Sequence, residues 1–214
     1  MIKVKSYLSL IKFSHTIFAM PFAFIGFFIG LFEITSLIPG WHKTIFPPQF
    51  NWKDLGIKFG LVILCMVFAR SAAMAFNRYL DRRYDAKNPR TAIREIPSGI
   101  ITAKNALAFT IISSLLFIGC TFFINQLCFY LSPVALAVVL GYSYTKRFTP
   151  LCHLILGVGL SLAPIGAYLA VTGHFSLLPV IFSLAVIFWV SGFDIIYAPV
   201  SYTHLRAHET KANL

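Results

Sequence analysis

Charge is what this sequence has least of. Of its 214 residues only 7 are Asp or Glu, and 12% are charged at all, where a soluble domain carries roughly a quarter. The gaps are long. No Asp, Glu, Lys or Arg occurs from Phe13 to Phe32, from Asn105 to Thr145 or from Phe148 to Phe193, runs of 20, 41 and 46 residues. A helix crosses the hydrocarbon core in about 20 apolar residues, so these runs fit one, two and two spans and exclude an ordinary soluble core. Cysteine patterning is missing too. Cys65, Cys120, Cys128 and Cys152 show no CxxC or Cys/His ligand spacing, so they read as small hydrophobes rather than a redox or metal site. The first apolar run is too long and aromatic for a cleaved leader, and no A-x-A site follows it. No soluble domain, internal repeat or low-complexity linker is visible.

What is present is apolar: 58% of the chain, with a mean hydropathy of +0.79. The pattern predicts an all-α, polytopic transmembrane helical bundle with spans at about 10–34, 56–78, 105–124, 127–145, 151–172 and 176–198. Arg70 interrupts the second. The net charge of +11 comes from cations in short loops, which points to a lipid bilayer as partner and away from nucleic acid. Lys3, Lys5 and Lys12 precede span one, seven cations follow span two, and Lys146 and Arg147 follow span four. Alternating spans put these segments on one side, so the positive-inside rule predicts an inner (cytoplasmic) membrane protein with its N-terminus and both basic loops in the cytoplasm. Only Lys43, Lys53 and Lys58 dilute the pattern.

The informative segment runs from Arg70 to Pro97. Asn77, Asp81 and Asp85 recur every fourth residue, which stacks three oxygen-bearing side chains on one helix face. Paired carboxylates with Mg²⁺ between them would take a diphosphate, since Mg²⁺ prefers hard oxygen ligands and completes its shell with phosphate oxygens. Arg82, Arg83, Lys87, Arg90 and Arg94 would welcome that anion. The same spacing also suits a solvated helix end laced with ion pairs. Arg70, two turns deeper, faces a cavity or partner, or snorkels to the interface. Asp194 ends the 46-residue run on the side of Asp81, as a second metal ligand or a helix cap. Lys146 and Arg147 clamp a diphosphate or anchor the topology. Tyr142 and Tyr144 line a substrate wall or mark the interface.

These residues resemble the UbiA family of membrane prenyltransferases. The likeness lies in Asn77-Arg78-Tyr79-Leu80-Asp81-Arg82-Arg83-Tyr84-Asp85, Asn88-Pro89-Arg90-Thr91 and Arg94-Glu95-Ile96-Pro97-Ser98-Gly99. It continues in Tyr142-Ser143-Tyr144-Thr145-Lys146-Arg147, Lys12-Phe13-Ser14-His15-Thr16 and Gly192-Phe193-Asp194-Ile195-Ile196-Tyr197-Ala198. Met74-Ala75-Phe76-Asn77-Arg78 is most similar to the 4-hydroxybenzoate polyprenyltransferase-like branch. The resemblance implies a bundle of about nine helices, with six present here over residues 1–198. It implies Mg²⁺-assisted transfer of a polyprenyl group from polyprenyl diphosphate to a small aromatic acid in quinone biosynthesis. A 4-hydroxybenzoate-like acceptor is expected, and a naphthoate for menaquinone is the alternative. The catalytic residues would be Asp81, Asp85 and Asp194, which with Asn77 would hold the metal. Substrate would meet Arg70, Asn77, Arg90, Arg94, Lys146, Arg147, Tyr144 and Tyr197. A secondary transporter would also explain intramembrane Arg70 and Asp194, but not the Asn77/Asp81/Asp85 register.

One stretch departs from the family. Its second motif carries further acids at the places of Ser201 and Leu205. From Pro199 the residues instead read like a translated transposase-type sequencing adapter, so 199–214 is expected to be a non-native tail on a truncated chain. Without those acids, the chain as it stands is expected to be inactive.

Overall fold

A computed structural model describes residues 2–35, 51–145, 148–149 and 151–212, with side chains described over 5–12, 16–35, 51–145, 148–149 and 151–196. All regular structure among the described residues is helical: α1 (Ile2–Leu10), α2 (Phe13–Thr35), α3 (Trp52–Asp85), α4 (Pro89–Ala92), α5 (Ala103–Ile124), α6 (Gln126–Thr145), α7 (Cys152–Thr172) and α8 (Leu177–Ala212). Six of them are long and apolar enough to cross a membrane, as the charge-free runs predict.

Three boundaries differ from expectation, each for a local reason. The first predicted span is split, because Lys12 has a positive φ of 44°, which turns the chain between α1 and α2. The second extends from residue 52 to residue 85 as one 34-residue helix, so the polar motif continues the membrane helix without a break. Asn51 caps its start, accepting from the Lys53 N–H at 3.0 Å. The last predicted span also runs on, as α8 to Ala212, although its membrane-crossing part is Leu177–Ile196.

α7 is the hub. In its apolar window 44% is buried, against 22–28% in the other spans. Two glycines let its neighbours come close. A Cβ on Gly26 of α2 would lie 2.1 Å from the Pro164 carbonyl oxygen of α7, and one on Gly157 of α7 would lie 2.7 Å from the Ile187 carbonyl oxygen of α8. Lipid offers apolar side chains no net drive to leave it, so such small-residue contacts hold membrane helices together. Gly26→Ala is therefore expected to cost about 1–3 kcal/mol through overpacking, read as a lower unfolding midpoint in detergent. An unchanged midpoint would refute the α2–α7 contact.

Tyr168, fully buried on α7, joins Ala23, Phe27, Val62 and Ile124 in the main core. Its hydroxyl donates to Glu33 of α2. Glu33 also lies 2.9 Å from His174 Nε2, just past the Gly173 cap of α7 (φ 73°). Asn125, in the α5–α6 turn, accepts from the Cys128 N–H and donates to the Leu169 carbonyl, both at 2.8 Å. These polar ties close the end of the bundle away from the Asn77/Asp81/Asp85 motif. The cysteines behave as expected of packing residues: all are free, and Cys65 and Cys128 lie in or against the core.

Candidate functional site

The opposite end gathers the sequence motifs. α3 stays helical through Asp85, so Asn77, Asp81 and Asp85 keep their one-face register. Past it the chain folds back. Asn88 caps α4 by accepting from the Arg90 N–H at 3.0 Å, Pro89 fills the first helical position, and the Thr91 hydroxyl donates to the Asp85 carbonyl at 2.9 Å. This turn returns Arg94 to α3. Its Nη1 donates to both carboxylate oxygens of buried Asp85, at 2.8 and 3.0 Å.

The next residue makes a second strap. Glu95 accepts from Arg78 Nη1 at 3.3 Å and from the Ser9 hydroxyl of α1 at 2.5 Å. The Arg78 and Glu95 side chains are only 7% and 12% exposed. Leu10, Ala75, Ile101 and Ala106 pack as a small apolar cluster alongside. Sequence reading placed Arg78 and Glu95 in separate motifs without seeing that they pair. The signal that could have found them was the scarcity of acids, which makes any carboxylate near a helix end a preferred partner.

Lys12 joins this cationic end. Burial, then the guanidiniums of Arg78, Arg94 and Arg90, lower its pKa below the ordinary lysine value, with Glu95 opposing. A lysine whose folded pKa is depressed costs stability while it is charged in both states, and the cost disappears as pH rises from the folded to the unfolded value. Lys12→Met is therefore expected to raise the unfolding midpoint at pH 7. The gain should shrink toward pH 10, and a gain constant across that range would overturn this account.

Aromatic contacts join α6 to α3. The Tyr144 ring meets Phe76 at 5.7 Å, Phe76 stacks with Tyr79 at 6.5 Å, and the Arg82 guanidinium lies 4.3 Å above Tyr79. Tyr142 is within electrostatic reach of Asp194, Cys152, Arg70 and Asp81, so the ends of α3, α6, α7 and α8 face a common region. Buried polar atoms without a hydrogen-bond partner among the described residues are Thr16 Oγ1, Arg70 Nε and Ser143 Oγ. Thr16 and Ser143 lie near the ends of α2 and α6 on this side. Such orphaned groups are uncommon in a folded interior and mark places where a ligand or water belongs.

The predicted site residues divide accordingly. Asp85 and Arg94 are in direct contact, and Tyr144 packs on the motif helix. Arg70 and Asp81 share the surroundings of Tyr142. Arg90 is exposed on α4. Asp194 also lies within electrostatic reach of Tyr142, and among the described residues no three His, Cys, Asp or Glu side chains come together as a metal site. Asp194 Oδ2 lies 2.7 Å from His153 Nδ1 at the head of α7, a partner that sequence reading did not name. One of the two histidines in a 46-residue uncharged run, it was the available clue. Lys146 and Arg147 lie outside the described residues, as does the side chain of Tyr197.

Residues 46–211 match the model of the UbiA prenyltransferase family. Over 141 residues the chain is 36% identical to a 4-hydroxybenzoate octaprenyltransferase of Tolumonas auensis, covering 65% of this chain and 49% of that one. The chain spans about half the length of the curated relatives it matches. The apo structure of a UbiA homologue from Aeropyrum pernix K1 superposes with a TM-score of 0.70 at 32% identity, covering 91% of this chain and 66% of that one. The fold is shared as well by a UbiA homologue from Archaeoglobus fulgidus bound to DMAPP and Mg²⁺, with a TM-score of 0.65, 21% identity and coverage of 92% and 62%.

Proposed function

Because the chain belongs to the UbiA prenyltransferase family, we propose that it serves Mg²⁺-dependent transfer of a polyprenyl group from polyprenyl diphosphate to a 4-hydroxybenzoate-like aromatic acid. The observation that carries this reading is the Asn77/Asp81/Asp85 face of α3, with Arg94 already on Asp85. The donor set fits the metal: hard oxygens from two carboxylates and an amide are what Mg²⁺ takes when substrate phosphates complete its shell. The Tolumonas relative is named for the aromatic acceptor and the Archaeoglobus structure holds a prenyl diphosphate with Mg²⁺; both support extending that chemistry here.

Bound by Asn77, Asp81 and Asp85, Mg²⁺ would supply the charge that stabilises a departing diphosphate. The chain's own residues do the rest. Arg70, Arg90, Arg94, Lys146 and Arg147 bind the diphosphate oxygens, and the guanidiniums do so in a fixed fork geometry. Arg94 holds Asp85 in place through two hydrogen bonds. Phe76 and Tyr144 supply aromatic surface that suits an allylic cation, and the apolar spans exclude the water that would quench it. The cation bias of the loops favours a cytoplasmic site in the inner membrane.

The test is binding of farnesyl thiodiphosphate, a substrate analogue that does not ionise readily, to the chain in nanodiscs. The expected result is weak binding that requires Mg²⁺ and falls about tenfold or more in Asp81→Asn. Binding indifferent to both Mg²⁺ and Asp81 would overturn the proposal, and substrate flux in liposomes under those conditions would favour a transporter.

A further inference from the structure

We infer that the elbow between α1 and α2, centred on Lys12, seats the phosphate headgroup of an anionic phospholipid whose acyl chains lie along α2. The inference holds whatever reaction the chain serves. It begins with how α1 is held. The Tyr7 ring lies 5.1 Å from Phe109 of α5, Leu10 is fully buried with Ala75, Ile101 and Ala106, and the Ser9 hydroxyl donates to Glu95. Lys5, Leu8 and Lys12 stay exposed, at the three- and four-residue spacing that shares one helix face. The segment therefore grips the motif end of the bundle on one side and shows lysines beside leucine on the other. Helices at a bilayer surface carry such a face.

The elbow concentrates positive charge. Lys12 holds a left-handed φ of 44°, which is costly for a residue with a Cβ and is kept where the surroundings demand it. Its ammonium is within electrostatic reach of the guanidiniums of Arg78, Arg94 and Arg90, with Glu95 as the opposing carboxylate. Glu95 is already engaged by Arg78 at 3.3 Å and by Ser9, so the cations outnumber the acid and favour an added anion. The start of α2 contributes donors. First-turn N–H groups of a helix have no carbonyl of their own helix to bond, and the dipole favours negative charge there. Thr16, in that turn, is buried and its hydroxyl has no hydrogen-bond partner among the described residues. Immediately beyond, Ile17 and Phe18 are exposed within the first membrane-crossing helix. A soluble anion would answer the charge and leave this apolar surface unused, whereas a phospholipid answers both. Basic pockets at the ends of membrane helices suit anionic headgroups for the same reason.

The test places a tryptophan on the acyl track. Phe18→Trp in the whole chain is reconstituted in nanodiscs, and its quenching by brominated phosphatidylglycerol is compared with that by brominated phosphatidylcholine. Quenching of the native tryptophans, measured in the parent, is subtracted. The anionic lipid is expected to be preferred about fivefold, the effect of one lysine beside a charged headgroup. Adding Lys12→Met should bring the two lipids level, and Lys12→Arg should keep the preference. Since Lys12→Met is expected to stabilise the fold, its loss of preference reports the site and not unfolding. Lys104→Met, which removes an exposed cation of α5 at the same end, should change nothing. Equal quenching by the two lipids without Lys12→Met, or a preference that survives Lys12→Met, overturns the inference. So does an equal loss in Lys104→Met, which would mean diffuse surface charge. Displacement of the anionic lipid by saturating pyrophosphate or 4-hydroxybenzoate would also overturn it, by giving the elbow to a soluble substrate.

Discussion

Replacing Glu95 by alanine is expected to destabilise the chain by about 3–5 kcal/mol, because it leaves the Arg78 guanidinium buried without its carboxylate. The Arg78 side chain is 7% exposed, and Glu95 takes its Nη1 at 3.3 Å while also accepting from Ser9. The same change frees α1 from the loop that carries Arg94, so the damage extends toward the site. Glu95→Gln keeps an acceptor oxygen for Ser9 and Arg78 but not the charge, and should cost about half as much. A double replacement, Arg78→Met with Glu95→Leu, removes both charges and should recover most of the loss. Thermal unfolding in detergent, followed by thiol exposure at the core cysteines, reads all three. A loss below about 1 kcal/mol for Glu95→Ala would mean that water reaches Arg78 and that the strap is not a buried pair.

The other large effect concerns affinity. Ser201→Asp combined with Leu205→Asp is expected to tighten Mg²⁺-dependent binding of farnesyl thiodiphosphate by about a hundredfold, as two added charged contacts of roughly 1.5–3 kcal/mol each would allow. α8 is one helix through these positions, and residues 194, 201 and 205 are spaced so that they share a face. The proposal that 199–214 is foreign sequence makes a companion prediction. Resequencing the source DNA across the codons for Ala198 and Pro199 should reveal a frame with acids at 201 and 205. If the double variant binds no more tightly, α8 does not present these positions to the diphosphate, and the second motif is not completed by acids alone.

These expectations differ in how far the sequence supports them. The register of Asn77, Asp81 and Asp85 could be read directly, because helical periodicity is local and a membrane helix keeps it. The pairing of Asp85 with Arg94 was within reach, since the two are nine residues apart around a capped turn. The Arg78–Glu95 strap was not, because the loop offers several cations and the sequence does not say which of them is buried. His153 was harder still, since 41 residues and a helical hairpin separate it from Asp194.

By itself, the sequence determined that this chain is an all-helical membrane bundle, where its six spans run, and which end carries the charge. The reason is that hydrocarbon excludes charge and requires every backbone group to be bonded within its own helix, so length and polarity alone specify each span. Only the tertiary structure decided which side chains meet. Glu33 reaches Tyr168 and His174, and Asp194 meets His153. Those choices depend on how each helix is rotated and shifted against its neighbours. That is set by close contacts such as Gly26 on Pro164 and Gly157 on Ile187, which no single helix contains.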